Sequence, residues 1–124
     1  MAIIDHFNLP VSNVGASKKL YQPILATLGI DQVFIDEDAV GFGKMSWEFG
    51  LVPAVGIIQK LHLAFEATSS QQVDKFHQTA IDLGMTSNGA PGLRPEYGAN
   101  YYAAYFLDPD GHNIEAVYRG GMTP

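Results

Sequence analysis

Leu61-His62-Leu63-Ala64-Phe65-Glu66 marks the point where the chain begins again. Leu61, Leu63 and Phe65 fall on one face and His62, Ala64 and Glu66 on the other, which is the period of a half-buried β-strand. Thr68, Ser69 and Ser70 follow as helix caps. Val73, Phe76, His77, Ala80, Ile81 and Leu83 then recur at helical spacing until Gly84 stops the run. The stretch Ile3-Ile4-Asp5-His6-Phe7-Asn8-Leu9 has the same form: Ile3, Phe7 and Leu9 share one face, Ile4, His6 and Asn8 the other. Pro10 closes it, where a missing N–H does little harm. Ser12 and Asn13 are its caps. A helix from about Val14 to Leu28 carries Leu20, Tyr21, Ile24, Leu25 and Leu28, with Gly29 as its C′ residue. Pro23 predicts a kink there, or the start of a second helix. From His6 to Gly29 is 23 residues and from His62 to Gly84 is 22. Strand, cap, helix and Leu-Gly stop therefore occur twice in the same order, a degenerate internal repeat.

Downstream of each helix the pattern is less regular. Strands are expected near Gln32–Asp36, Ala39–Gly43 and Ser46–Val52, with Asp36-Glu37-Asp38 as a turn. In the second half, Thr86 to Asn100 reads as a long Gly/Pro-containing loop, and such loops are often functional. Tyr101 to Leu107 reads as a strand, Asp108-Pro109-Asp110-Gly111 as a turn and His112 to Tyr118 as the last strand. In that strand Ile114, Ala116 and Tyr118 form the apolar face and Glu115 stands opposite. The expected fold is α+β: two βαβββ modules, residues 1–55 and 56–124 of one domain, forming a curved mixed sheet around a metal-binding cleft with the helices outside.

A length of 124 residues suits one compact domain or two small packed halves. Seven basic against 13 acidic residues leave a formal charge of −6, which argues against a nucleic-acid backbone as partner. A small anion is still open to Arg94 or Lys60. Cysteine is absent, so there is neither a disulfide framework nor a thiolate ligand. No run approaches the roughly 18 apolar residues of a membrane span. The N-terminus lacks the basic and long apolar regions of a signal peptide. A cytoplasmic location and no membrane partner are the default expectation.

His6, His62 and Glu115 each lie on the polar side of an alternating segment. Two imidazoles and one carboxylate suit Fe(II), Mn(II), Ni(II), Co(II) or Zn(II), with open positions for substrate oxygens. A single histidine on a strand is more often an ordinary core or surface residue, and a single glutamate near a C-terminus is usually solvated. The repeat-equivalent placement of the two histidines raises the odds for a metal triad. Trp47-Glu48-Phe49 closes the first module as Ile114-Glu115-Ala116 closes the second, so Glu48 reads as the counterpart of Glu115. It is a fourth ligand or a catalytic base, or equally an outward-facing carboxylate. His77 and His112 lie outside the strand pattern and are read as non-ligands. Arg94 either anchors a substrate carboxylate or phosphate by a forked contact or pairs with Glu96 or a backbone carbonyl. Tyr97 and Tyr102 either hydrogen-bond a metal-bound oxygen or pack. No phosphate-binding glycine motif and no Ser/His/Asp arrangement is evident.

Three segments resemble the vicinal oxygen chelate superfamily, which includes glyoxalase I, bleomycin resistance proteins and type I extradiol dioxygenases. They are Asp5-His6-Phe7 with Val11-Ser12 and Tyr21, Leu61-His62-Leu63-Ala64-Phe65, and Asp108-Pro109-Asp110-Gly111-His112-Asn113-Ile114-Glu115. The resemblance covers essentially the whole chain and implies paired βαβββ modules. It places His6, His62 and Glu115 at the family's metal-ligand positions, with Glu48 nearest to the second glutamate of glyoxalase I. Arg94-Pro95-Glu96-Tyr97 through Tyr101-Tyr102-Ala103-Ala104 resembles a loop common in small bacterial members, with Gly98 where those carry a histidine. It implies a divalent metal, a homodimer, and lyase, isomerase or oxygenase chemistry on a small oxygen-rich substrate. Extradiol dioxygenases usually resemble a doubled version of this chain, and no glutathione-binding set is evident. The alternative is a non-catalytic, drug-sequestering protein of the bleomycin-resistance type.

Overall fold

Asn13 and Ser69 each start a thirteen-residue helix in the same way. The Asn13 side chain accepts from the Ala16 N–H at 2.9 Å, and the Ser69 hydroxyl accepts from the Gln72 N–H at 3.1 Å. Each satisfies a donor that the helix cannot. The Gln72 side chain returns a bond to the Thr68 N–H at 2.8 Å. In this computed structural model, residues 3–120 are described. The chain divides into two compact units, Met1–Gln59 and Lys60–Pro124.

The first unit runs β1 (Phe7–Val11), α1 (Val14–Ala26), β2 (Gln32–Asp36), β3 (Ala39–Gly43) and β4 (Phe49–Pro53). Its sheet has the order β1-β4-β3-β2, with β1 parallel to β4 and the other pairs antiparallel. The second unit runs β5 (His62–Glu66), α2 (Ser70–Asp82), β6 (Thr86–Leu93), β7 (Tyr102–Leu107) and β8 (Asn113–Tyr118). Its order, β5-β8-β7-β6, repeats the first with the same parallel and antiparallel pairs. Both are βαβββ modules, and the α+β expectation holds.

Each helix covers one face of its own sheet. In the first unit Tyr21, Ile24 and Leu25 of α1 are buried with Leu9, Val40, Phe42, Phe49 and Leu51, and the Tyr21 and Phe49 ring centroids lie 5.5 Å apart. In the second, Val73, Phe76 and Ala80 are buried with Tyr102, Ala104, Phe106, Ile114 and Ala116; Phe76 and Phe106 lie 5.3 Å apart. Because side chains alternate, the other face of each sheet is left to Asn8, Gly41 and Gly50 in one unit and Ala64, Tyr105 and Glu115 in the other.

Four expectations need correction. The first strand starts at Phe7, not Ile3, and includes Pro10; β1 is an edge strand, where an absent N–H costs no ladder bond. The helix α1 runs unbroken through Pro23, on an exposed position away from the buried stripe, and no second helix begins there. The strand expected from Ser46, β4, starts at Phe49. The largest change concerns Thr86 to Asn100: its first eight residues are strand β6, and only 94–101 form the connection to β7. Gly89, Pro91 and Gly92 disguise this strand. Its register with β7 shifts between Ser87 and Gly89 and again between Gly89 and Gly92. An edge strand with bulges tolerates such residues.

Candidate functional site

A cross-strand row on the helix-free face carries the chemistry of the second unit. In it Ala64 of β5, Glu115 of β8 and Tyr105 of β7 stand side by side. The turn Asp108-Pro109-Asp110-Gly111 sets this row. The Asp108 carboxylate accepts from the Asp110 and His112 N–H groups, each at 2.9 Å, and Gly111 takes the left-handed φ of 85°. Leu107 then pairs with Asn113, so every second residue of β7 shares the face of Glu115.

Glu115 is 1% exposed, and side chains hold both of its oxygens. Oε1 lies 2.7 Å from His62 Nε2, while Oε2 accepts from the Tyr101 hydroxyl. The imidazole of His62 is more than half open, at 56% side-chain exposure. Burial, then the bond to Glu115, pushes the Tyr101 phenol well above its ordinary range; burial and the Glu115 charge raise Tyr105 as well. Both arginines of the chain join this group. Arg119 sits 4.9 Å over the Tyr101 ring and Arg94 sits 5.4 Å over Tyr105. Arg94 Nη2 also donates to the Ala90 carbonyl at 2.6 Å, so it pairs with backbone rather than with Glu96.

The expected tyrosines separate. Tyr97 is 62% exposed and lies 5.4 Å from the Tyr101 ring. Tyr102 points the other way: it is buried, and its hydroxyl donates to Asp74 of α2 at 2.6 Å. It fastens the helix to the sheet, and Tyr101 stands where a substrate-facing tyrosine was expected. Alternation from the 108–111 turn would have shown this, since Tyr101, Ala103 and Tyr105 share a parity with Glu115. Burial, then the bond to Asp74, pushes the Tyr102 phenol up to about 12. Its proton therefore stays on in the folded protein above pH 10.0, where the unfolded chain ionises. That stabilisation is present below the unfolded value and is lost as pH rises through the folded one. Tyr102→Phe is expected to cost about 1.5–3 kcal/mol at neutral pH for a hydrogen bond to a charged group. It should also show a shallower alkaline loss than the parent, read from urea midpoints at neutral pH and at about pH 11.

In the first unit the equivalent row is Asn8, Gly50 and Gly41. His6 directly precedes β1, seven positions before the cap Asn13, as His62 stands seven before Ser69. Phe7 pairs with Phe49 and its N–H donates to the Glu48 carbonyl, so Glu48 lies beside His6 as Asn113 lies beside His62. By register, then, the counterpart of Glu115 is Gly50, not Glu48. The Glu48 carboxylate is exposed and accepts from the Lys44 N–H at 2.9 Å, closing the 44–48 loop. The His6 ring is paired locally, with Nδ1 2.8 Å from Asp5 Oδ1.

The pair His62 and Glu115 suits the chemistry of a first-row divalent ion. Two ligands in adjacent positions at about 2.1 Å from a metal lie about 3 Å apart, close to the 2.7 Å seen between Nε2 and Oε1. Among the described residues, no group of three or more His, Cys, Asp or Glu side chains is gathered around one point. The second unit therefore fits two ligands of such a site. His77, on α2, contacts Ser87 at 2.8 Å, and His112 is fully buried and accepts from the Leu61 N–H at 3.0 Å; both serve the fold.

Comparison with known proteins gives a consistent picture. Residues 3–116 match the family model of the Glyoxalase/Bleomycin resistance protein/Dioxygenase superfamily. A glyoxalase/bleomycin resistance protein from Albidiferax ferrireducens T118 is 31% identical, with a TM-score of 0.85 over 95% of this chain and 100% of that one. The genomically encoded fosfomycin resistance protein FosX from Listeria monocytogenes is 18% identical, with a TM-score of 0.70 over 95% and 93%. An oxidase, ChaP-H2, is 21% identical, with a TM-score of 0.68 over 98% and 99%. The last two likenesses speak for the fold alone. No curated protein matches the chain significantly.

Proposed function

Because this chain belongs to the Glyoxalase/Bleomycin resistance protein/Dioxygenase superfamily, we propose that it is a divalent-metal-dependent enzyme of lyase, isomerase or oxygenase type. In this reading His62 and Glu115 are metal ligands, His6 is the third, and the substrate is small and oxygen-rich. One observation carries it: a carboxylate that is 1% exposed faces a half-open imidazole at 2.7 Å. Burying a carboxylate is costly unless a cation or strong donors compensate, and an open imidazole beside it leaves the approach free. A bound divalent ion would polarise substrate oxygens as a Lewis acid.

The remaining roles fall to the chain itself. Tyr101 holds Oε2 and leaves Oε1 turned to His62. Arg94 is fixed over Tyr105 by its bond to the Ala90 carbonyl, which aims a cation at the same face for an anionic substrate group. Tyr97 packs beside Tyr101 at the exposed margin.

Metal analysis of protein purified without chelator or histidine tag tests the reading. Close to one metal per chain is expected, lost in His62→Ala and in Glu115→Ala. Less than one metal per two chains, or content unchanged in both variants, sinks it. Turnover of 2-oxoaldehyde–thiol adducts or of catechols by the loaded protein would then separate isomerase from oxygenase.

A second reading has its own support. Both Glu115 oxygens are already satisfied by side chains. That pairing favours a metal-free, ligand-sequestering protein of the bleomycin-resistance type. Metal-free purified protein that binds such a drug tightly would decide for it.

A further inference from the structure

The two helix-free faces have diverged. Where the second unit carries Glu115 and Tyr105, the first carries Gly50 and Gly41, which are cross-strand partners. The Trp47 indole lies on this bare backbone. A Cβ at Gly41 would stand 2.1 Å from Trp47 Cδ2, and one at Gly50 would stand 2.6 Å from Cζ2. Neither position can carry a side chain while the ring is there. The indole Nε1–H donates to Asn8 Oδ1 at 2.8 Å, which fixes its rotation. The ring is thus held before any ligand arrives, so binding to it costs little side-chain entropy.

Above this platform is a cavity of about 230 Å³ lined by His6, Asn8, Asp36 and Trp47. It is smaller than the roughly 300–1,000 Å³ typical of drug-sized ligands. It suits a single planar group. Among the described residues, no lysine or arginine lines it. The Asp36 carboxylate on its wall is exposed, and it makes no hydrogen bond or ion pair to another described residue. An indole face attracts cations through its quadrupole, and an unpaired carboxylate at its edge reinforces the same preference.

We propose that the first unit carries a binding site for a small planar organic cation, an amidinium or guanidinium, stacked on Trp47 and paired with Asp36. His6 on its wall is also the third ligand in the metal reading, but Trp47 and Asp36 have no part in that reading, so loss of planar-cation binding on their substitution leaves it standing.

Trp47 is the only tryptophan, so its fluorescence reports occupancy directly. Titration with benzamidine should change the emission saturably. The neutral isostere benzamide should bind about tenfold or more weakly, the loss of one cation–π contact and its ion pair. Asp36→Asn, with an unchanged melting temperature, removes only the ion pair and should weaken benzamidine by a smaller factor, about two- to fivefold. Glu115→Gln should leave benzamidine binding intact even where it removes metal. The proposal is overturned if benzamidine produces no saturable change, if benzamide binds equally well, or if Asp36→Asn has no effect on benzamidine.

Discussion

The Glu115→Gln substitution is expected to yield a folded protein that no longer retains a divalent metal. The amide keeps the shape of the carboxylate in a position that is 1% exposed. Its oxygen still accepts from the Tyr101 hydroxyl, and its NH₂ can donate to a neutral His62 ring. The fold should therefore lose only about 1 kcal/mol, the scale of one altered hydrogen bond. Metal binding loses the anionic ligand outright, and affinity should fall by more than the roughly 10–100-fold that an outer-shell partner commands. Tyr101→Phe supplies that smaller step. Without the donor on Oε2 the carboxylate is free to turn, and affinity should fall by about 10–100-fold. Titration with a first-row divalent ion, beside thermal melts, reads both variants. The parent should bind tightest, Tyr101→Phe more weakly and Glu115→Gln least. Equal affinity in all three would remove Glu115 from the ligand set.

The repeat was legible because its signals are local. Alternation over five or six residues, a capping side chain and a left-handed glycine each leave a mark in a short window. Asn13 and Ser69 are in the same register with respect to His6 and His62 in the structure as in the sequence. What stayed hidden depends on pairing between segments. Glu48 and Glu115 both follow a bulky apolar residue near the end of a module, but the parallel ladders shift them by two residues relative to their histidines. A shift of two keeps the same face of the sheet, so alternation alone could not expose it. Tyr101 and Tyr102 differ by one, and there the hairpin turn held the answer. The strand β6 escaped because Gly and Pro are breakers in a window but are tolerated on a bulged edge. Trp47 escaped because its floor, Gly41 and Gly50, is a cross-strand pair that comes together only once the two strands are in register.

His112→Ala is expected to give the largest loss of stability among the histidine variants. His112 is fully buried, and its Nδ1 accepts from the Leu61 N–H at 3.0 Å. Its own N–H donates to Asp108, and its carbonyl accepts from the Asp108 N–H at 3.0 Å. The imidazole therefore ties the start of β5 to the β7–β8 turn. Truncation opens a cavity and strands the Leu61 N–H. A large-to-small core change costs about 2–5 kcal/mol, and an unsatisfied donor contributes about 1–3 kcal/mol of such a loss. His112→Asn should recover the second part, since its side-chain oxygen can accept from Leu61, but not the lost ring volume. Urea unfolding should rank the parent above His112→Asn and His112→Ala lowest. His77→Ala, which removes a contact to Ser87 and an electrostatic interaction with Asp74, should stay within about 1 kcal/mol of the parent. The consequence for the site follows from the same bonds. Leu61 precedes His62, and its carbonyl accepts from the Asn113 N–H at 2.8 Å, one pairing step from the ladder that brings His62 to Glu115. Metal affinity in His112→Ala should therefore fall with stability, and His112→Asn should restore both together. If asparagine restores stability while metal affinity stays low, His112 touches the metal site by a route other than Leu61.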